Sequence, residues 1–320
     1  MYVKVIVDAG KFNTKVITER GGQIKKAIYR TKAMPTQEEK STNRGNFVVE
    51  IPGLEDPSFK NKVMFGKSDA VFSVDYDREK KKDIHKIAIY TAIADSVSPG
   101  DVVTDVIVGY PISLFKNVNA RNDFADYIKG DGKVEMKLNG VPIHFYIEKV
   151  TVLPESSGII LARFKEFKRE TVAVLDFGGL NVNGCIFQNG DIVEGTYFTL
   201  DKGVYILKER LKDALNYEFG VNIQDYLMDK IIKEGFIKKD KEKSESFIKK
   251  FIAEYMQEVK SQAIRAQWDF DVLSVVVGSG GGSKQFEHFL EDTFGQLEIR
   301  ENSIWDNAEG WAKVVGLIVN

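Results

Sequence analysis

The stretch Val3-Lys4-Val5-Ile6-Val7-Asp8-Ala9-Gly10 decides the fold, because it recurs as Thr171-Val172-Ala173-Val174-Leu175-Asp176-Phe177-Gly178. Residues 3–24 and 171–192 align at a constant offset of 168 without a gap. Each copy reads as an apolar strand, an Asp-x-Gly turn, a second strand, a glycine-containing turn and a third strand. Internal similarity at a fixed spacing indicates duplication. The chain is therefore predicted to contain two related α/β domains, each a sheet with helices.

The repeat extends to a later strand, and helical patterns lie between the copies. Residues 105–109 align with residues 274–278 at an offset of 169, and each copy ends in glycine. Apolar spacing predicts helices over 83–97, 122–129, 155–167, 204–217, 223–233, 244–268, 284–294 and 307–318. The polar stretch 32–46 predicts a loop. The charge runs at 78–83 and 238–243 predict solvated loops or helix ends, with a partner contact as the alternative.

Composition limits the class of protein. The 320 residues allow roughly two domains, and 43% hydrophobic with 29% charged residues supports a packed core. A net charge of −2 excludes a broadly basic coat but not a local basic patch, and it agrees with the expectation of no direct nucleic-acid contact. The single cysteine, Cys185, excludes an intramolecular disulfide and fits a reducing cytoplasm. The three histidines are not closely spaced, which argues against a structural zinc site.

The pattern of apolar residues also bears on location. No apolar run reaches the ~18–20 residues that a membrane helix needs. Residues 1–8 carry charge within their apolar stretch and lack a cleavage motif, which predicts a strand and not a signal peptide. We therefore expect a cytoplasmic protein that does not contact a membrane.

Two Asp-x-Gly hairpins in two related domains point to a ligand that both hold. Backbone N–H groups in a tight turn can bind a phosphate oxygen, and glycine permits close approach. An aspartate beside such a turn can hold Mg²⁺ through water, which fits Asp8 and Asp176. Lys15 adds a positive charge for a phosphate. We expect a nucleoside triphosphate; the alternative is that both aspartates cap ordinary turns.

A third feature is the run Val275-Val276-Val277-Gly278-Ser279-Gly280-Gly281-Gly282-Ser283, which precedes a helical pattern. A strand, a glycine-rich loop and a helix N-terminus together can bind a nucleotide. The run lacks the Gly-Lys-Ser/Thr of a P-loop and the acidic partner of a dinucleotide-binding motif. A flexible linker is the alternative.

Five motifs in this order resemble those of the actin-like ATPase superfamily, which includes DnaK-type chaperones and hexokinase-type sugar kinases. They are a first phosphate loop at 8–15, a connecting helix at 153–158, a second phosphate loop at 176–179, an adenosine loop at 278–282 and a second connecting helix at 307–312. The chain is most similar to plasmid-segregating bacterial actins of the ParM type. The shared patterns are Asp-x-Gly-x-x-Asn-x-Lys at 8–15, Gly-x-Pro at 109–111, Pro-Glu at 154–155 and Asn-x-x-Gly at 307–310. Three residues depart from the usual pattern: Ala9, Asn181 and Asn183.

The resemblance implies an actin-like α/β fold with two related domains, each with a mixed sheet and helices, and a nucleotide cleft between them. Domain I would comprise 1–162 with 305–320, including a small subdomain at about 30–82, and domain II would comprise 163–304. The cofactors implied are ATP or ADP and Mg²⁺, and the sequence does not distinguish ATP from GTP.

The resemblance also implies residue roles. Asp8 and Asp176 would position the water shell of Mg²⁺, and Glu155 would orient or activate the attacking water. The alternative for Glu155 is a helix N-terminal acid that the helix dipole favours. The phosphate-binding residues would be Gly10, Lys11, Phe12, Asn13, Lys15, Gly178, Gly179 and Asn181. The adenosine would contact Gly278, Gly280, Gly281, Gly282, Lys208 and Glu209, the last two being an exposed helical charge cluster in the alternative interpretation.

The function implied is ATP-dependent polymerisation into dynamic filaments that segregate plasmid DNA, with ATP hydrolysis after assembly. The partners would be further copies of the chain and a DNA-binding adaptor on the plasmid. Two alternatives remain. One is a small-molecule kinase on the same fold, although no acceptor site is evident; the other is a filament scaffold for cell shape or division, although neither terminus supplies an amphipathic membrane helix.

Overall fold

The computed structural model describes residues 1–67, 79–295 and 297–317. It divides into two compact units, residues 1–163 with 305–320 and residues 164–304. Part of the predicted small subdomain, residues 68–78, lies outside the described residues, as does Ile318 at the end of the last predicted helix.

The strands of the described residues are β1 (Tyr2–Ala9), β2 (Asn13–Arg20), β3 (Gln23–Arg30), β4 (Ala33–Pro35), β5 (Phe47–Glu50), β6 (Val63–Phe65), β7 (Val102–Tyr110), β8 (Lys133–Leu138), β9 (Val141–Ile147), β10 (Val150–Pro154), β11 (Thr171–Phe177), β12 (Val182–Gln188), β13 (Asp191–Ile192), β14 (Phe198–Leu200), β15 (Val275–Ser279) and β16 (Leu297–Ile299). The α-helices are α1 (Asp83–Ala94), α2 (Val118–Lys129), α3 (Gly158–Ala162), α4 (Phe164–Phe167), α5 (Val204–Phe219), α6 (Met228–Glu234), α7 (Lys241–Arg265), α8 (Gly281–Gln285), α9 (Glu287–Phe294) and α10 (Asp306–Val314).

The central strand β1 of the first unit's sheet is buried on both faces. Its strand order is β3-β2-β1-β7-β9-β8-β5-β6-β4, and β10 pairs with β7. Side chains of β1 alternate between the faces: Val5 and Val7 join the cluster that includes α1 residues, whereas Ile6 joins the cluster around Trp311 of α10. A strand buried on both faces has no polar face, which explains why β1 reads as an almost continuous apolar run.

The second unit repeats the order of the first four strands, as β13-β12-β11-β15, and adds β16 at one edge. The two hairpins have the same register, because Asp8 lies opposite Lys15 and Asp176 lies opposite Asn183, each 168 residues further on. The predicted repeat is therefore a repeat of structure as well as of sequence.

The match between β7 and β15 is offset by one residue from the sequence alignment. Val5 lies beside Val106, whereas its counterpart Ala173 lies beside Val276, a spacing of 170 and not 169. The register of two parallel strands is determined by their backbone hydrogen bonds and by the length of the connection between them. A similar pattern of apolar residues does not reveal either of these.

Several predicted helices differ in their bounds. The one predicted at 155–167 is two helices, α3 and α4, because Arg163 leaves the helical region with φ −113° and ψ 28°. The one at 284–294 begins earlier and is divided at Phe286 for the same reason. The one at 223–233 is confined to α6 after a short 3₁₀ turn. Strands β8–β10 were not predicted, and β4 interrupts the loop predicted at 32–46.

Two glycines let α3 and α10 cross at close range. A Cβ at Gly310 would lie 1.8 Å from the carbonyl oxygen of Gly158, and a Cβ at Gly158 would lie 2.3 Å from the Cα of Asn307. No side chain fits at such separations, so the crossing requires glycine on both helices. It also holds the turn that precedes α3, where Glu155 lies.

We expect Gly310→Ala to lower the free energy of unfolding by about 2 kcal/mol or more, because the added methyl overlaps backbone and not a movable side chain. At an ordinary helical position, Gly→Ala raises the free energy of unfolding by about 1 kcal/mol. A decrease at Gly310 would therefore indicate the close helix crossing. Urea denaturation of the full chain measures it, with Val314→Ala on the same helix as a half-exposed control. A stabilised Gly310→Ala variant would show that the helices do not cross as described.

Candidate functional site

The first phosphate loop follows β1 in the first unit. Asp8 is 4% exposed, and its Oδ2 lies 2.7 Å from Nζ of Lys15, directly opposite on β2. The N–H of Gly10 donates to the carbonyl of Asp8 at 2.9 Å, and a Cβ there would lie 2.8 Å from the carbonyl oxygen of Asn13. Gly10 therefore closes the turn, and its amide, one of those predicted to bind phosphate at 10–13, donates within the loop.

The other side chains of this loop are already in contact with β3. The Arg30 guanidinium lies 3.1 Å from the centroid of the Phe12 ring, and its Nη1 lies 3.4 Å from Oδ1 of Asn13. Lys11 is partly exposed. Arg30 thus packs against two residues of the loop, Phe12 and Asn13.

Lys80 is a site residue that the sequence analysis missed. It was assigned to a solvated charge run, but its side chain is 3% exposed. Its ammonium donates to the carbonyl of Ala9 at 2.6 Å and lies 2.8 Å from Oε1 of Glu155. A run of charged residues predicts exposure, and nothing in the sequence distinguishes Lys80 from its neighbours. Its contacts with Ala9 and Glu155 are visible only in the tertiary structure.

Glu155 lies in a strained turn between β10 and α3. The next residue, Ser156, has φ +66°, which is uncommon outside glycine and asparagine. Its buried hydroxyl has no hydrogen-bond partner among the described residues. Ser157 donates to the carbonyl of Pro154 at 2.6 Å and accepts from Nε1 of Trp311 at 3.2 Å. Strained backbone and an unsatisfied buried hydroxyl occur together at functional sites, because surrounding packing offsets their cost.

The charges of three lysines of the first unit act on a buried histidine, His85. His85 of α1 is buried, and its pKa is held well below the ordinary value, first by burial and then by the positive charges of Lys80, Lys11 and Lys82. His85 is therefore neutral at neutral pH.

The second phosphate loop of the second unit is closed by helix α5. The N–H of Gly178 donates to the carbonyls of Asp176 and Asn181. The first amides of α5 donate to the loop: Gly203 to Leu180, Val204 to Gly178 and Tyr205 to Gly179. The carbonyls of the loop are thus used by the helix N-terminus, whose amides would otherwise lack partners. A Cβ at Gly203 would lie 2.4 Å from the amide nitrogen of Asn181, so the sequence analysis missed a glycine that this loop requires.

The predicted adenosine loop lies against the same loop. Gly280 has φ +81°, and a Cβ there would lie 2.4 Å from Oδ1 of Asp176. A Cβ at Gly282 would lie 2.2 Å from Cγ2 of Val204. Ser303 donates through Oγ to the carbonyl of Gly280 and accepts at its own carbonyl from the Gly280 amide. The structure therefore brings together Asp176, Gly178, Gly280 and Gly282 from distant parts of the sequence. Gly281 begins α8, and Gly278 packs on Ile299.

Lys208 and Glu209 take part in ion pairs on the surface of the second unit. Nζ of Lys208 lies 2.5 Å from Oδ1 of Asp229, which also accepts from Gln285. Glu209 pairs with Lys212, which reaches Asp225. These pairs connect α5 to the segment 225–234; a contact with ribose or purine remains a prediction.

The Mg²⁺ contacts of Asp8 and Asp176, which belong to different units, remain a prediction. Among residues 1–67, 79–295 and 297–317, no three His, Cys, Asp or Glu side chains group into a metal site. Mg²⁺ usually takes one or two carboxylates, waters and phosphate oxygens. Within the same ranges, no helix combines the length and apolar character needed to cross a membrane.

Residues 7–158 match the family model of the N-terminal domain of actin-like proteins. The predicted resemblance to the actin-like superfamily is confirmed. Among curated proteins, no sequence matches the chain.

Solved structures extend the likeness to nearly the whole chain. The Alp12 filament structure is 25% identical, with a TM-score of 0.71 over 98% of each chain. The psk41 ParM protein without ligand is 17% identical, with a TM-score of 0.70 over 98% of this chain and 96% of that one. The archaeal actin homologue Ta0583 in complex with ADP is 18% identical, with a TM-score of 0.72 over 98% of each. The chain therefore has the actin-like fold that the sequence predicted.

The stability of the first unit should depend on His85 in a defined pH range. Because the folded protein holds His85 neutral, the unfolded chain takes up a proton below the ordinary pKa of 6.5 and the folded chain does not. The free energy of unfolding should fall with decreasing pH, by up to about 1.4 kcal/mol per pH unit from this residue.

Urea denaturation of the full chain between about pH 6.5 and 5 measures this slope. We expect His85→Gln to reduce it and the exposed control His288→Gln to leave it unchanged. Equal slopes for wild type and His85→Gln would contradict the assignment of His85 as a buried neutral group.

Gly280→Ala should weaken nucleotide binding, because the methyl group would displace the Asp176 carboxylate. We expect a loss of about ten-fold or more in affinity for a fluorescent ATP analogue, corresponding to about 1.4 kcal/mol. Gly295→Ala is the control: its φ of +72° imposes similar backbone strain, but nothing lies within 4 Å of the added Cβ. Equal affinities in the two variants would show that Asp176 and Gly280 do not belong to a nucleotide site.

Proposed function

We propose that this chain is an ATP-dependent, filament-forming actin that segregates plasmid DNA and hydrolyses ATP after assembly. The observation that carries the proposal is the pair of Asp-x-Gly hairpins, identical in register, one in each unit. The likeness to a filament structure, to a ParM protein and to an ADP complex supports the same assignment.

The phosphates would be bound by the loops at 10–13 and 178–181. Nζ of Lys15 lies 2.7 Å from Oδ2 of Asp8, so this carboxylate already balances its positive charge. Lys15 would therefore contribute to phosphate binding but would not neutralise a phosphate alone. Asp8 and Asp176 would hold the water shell of Mg²⁺, and the bound ion would supply positive charge beside the phosphates. The glycines at 278 and 280–282 would leave room for the adenosine.

Glu155 would orient the attacking water. Lys80 occupies its Oε1, so the carboxylate keeps a second oxygen that can accept a hydrogen bond from water.

The partners proposed are further copies of this chain and a DNA-binding adaptor on the plasmid. Subunits would join head to tail, because a heterologous contact that does not close produces a filament. The net charge of −2 supports an indirect role at DNA. We place the protein in the cytoplasm, with ATP as the nucleotide and GTP as a substitute to be tested.

Glu155→Gln should separate assembly from hydrolysis. Wild type should give a rise in light scattering on addition of Mg-ATP, followed by decay as phosphate is released. In Glu155→Gln we expect release to slow by about a hundred-fold, because the amide cannot orient water in the same way, and the scattering to persist.

The control is Glu148→Gln, an exposed glutamate of the same unit, which should behave as wild type. Scattering, pelleting and phosphate release are followed in parallel, with ATP and then GTP. The absence of assembly, together with phosphate transfer only when a sugar or another hydroxyl acceptor is added, would overturn the filament proposal and favour the kinase.

A further inference from the structure

Lys80 is a buried lysine whose ammonium joins two segments of the first unit. It donates to the carbonyl of Ala9 at the end of β1, and it lies 2.8 Å from Oε1 of Glu155 in the turn before α3. Glu155 is itself 13% exposed. Burying an ammonium is costly unless it is paired and hydrogen-bonded, and Glu155 and the Ala9 carbonyl supply both contacts.

The backbone around Lys80 is held from both sides. Its amide donates to Oε1 of Glu79, which also accepts from the hydroxyl of Tyr110 at 3.2 Å. Its carbonyl accepts from the amide of Lys82, just before α1 begins. The amide of Glu155 donates to the carbonyl of the same Tyr110 at 2.8 Å. Lys80 and Glu155 are therefore both fixed to the end of β7, and their contact does not depend on a mobile side chain alone.

We propose that Lys80 is a positioning residue: it fixes the Glu155 carboxylate relative to the first phosphate loop, and thereby sets where the attacking water is held. The proposal rests on the proposed function, in which Glu155 orients that water. Lys80 reaches one carboxylate oxygen and the carbonyl of Ala9, which directly precedes Gly10. A change in the loop would thus be transmitted to Glu155 through one ammonium group.

Removal of the ammonium should slow the chemical step and leave binding almost unchanged. Without it, Glu155 loses the contact that selects its orientation, and a displacement of this kind costs about ten- to a hundred-fold in rate. We expect Lys80→Met, which keeps the length of the side chain, to reduce phosphate release by that factor. The affinity for a fluorescent ATP analogue should stay within about three-fold, since Lys80 acts through Glu155.

The decisive experiment is a double-mutant cycle. Phosphate release is measured for wild type, Lys80→Met, Glu155→Gln and the double variant, with Lys81→Met as the control at an exposed neighbour. If Lys80 acts through Glu155, the double variant should be no slower than Glu155→Gln alone. Lys80→Arg should recover part of the rate, because it keeps the charge and the donors.

The outcomes separate this inference from the proposed function. If phosphate release is slow in Glu155→Gln but normal in Lys80→Met, the role of Lys80 is overturned and that of Glu155 is kept. Losses that add in the double variant lead to the same conclusion. Normal release in Glu155→Gln overturns the role of Glu155 and the present inference with it. Circular dichroism verifies folding; if Lys80→Met does not fold, Lys80→Gln replaces it in the cycle, with the same results expected.

Discussion

The ladder between the first two strands of each unit is the constraint on which the site depends. Side chains alternate along a strand, so a slip of one residue would place Asp8 on the opposite face of the sheet. The observed register sets Asp8 opposite Lys15 and Asp176 opposite Asn183. In the first hairpin a buried carboxylate faces an ammonium, which offsets the cost of burial. In the second, the cross-strand neighbour is an amide that accepts from Thr199, so the two aspartates meet different electrostatic surroundings.

Glycine has more than one use in the motifs that point to a nucleotide. Gly10 closes a turn, whereas Gly158 and Gly310 permit two helices to cross with backbone in contact. Gly280 leaves space for a carboxylate, that of Asp176. The last helix, α10, thus packs against the turn that carries Glu155, although about 150 residues separate them in sequence. Packing of this kind gives a defined position to a turn that lies outside regular structure.

Local sequence patterns predicted the parts of the fold that depend on local physics. The two hairpins follow from apolar strands interrupted by Asp-x-Gly turns, and α5 and α7 follow from their helical periodicity. The division of α3 from α4 at Arg163 did not follow, because the apolar spacing continues across the break. The register of β7 against β1 also did not follow, since it depends on a crossover and not on neighbouring residues.

The candidate site shows the same division. Asp176, Gly178 and Gly280 were predicted from motifs and lie together in the second unit. Lys80 was not, because a lysine among charged residues is usually solvated, and only the tertiary structure places it beneath β1 and against Glu155. The strained Ser156 likewise had no signal in the sequence.

Electron cryo-microscopy of the protein with Mg²⁺ and a non-hydrolysable ATP analogue tests the central claim most directly. We predict helical filaments in which the phosphates of the analogue contact the loops at 10–13 and 178–181. Monomers alone, or filaments whose nucleotide leaves both loops without contact, would contradict it.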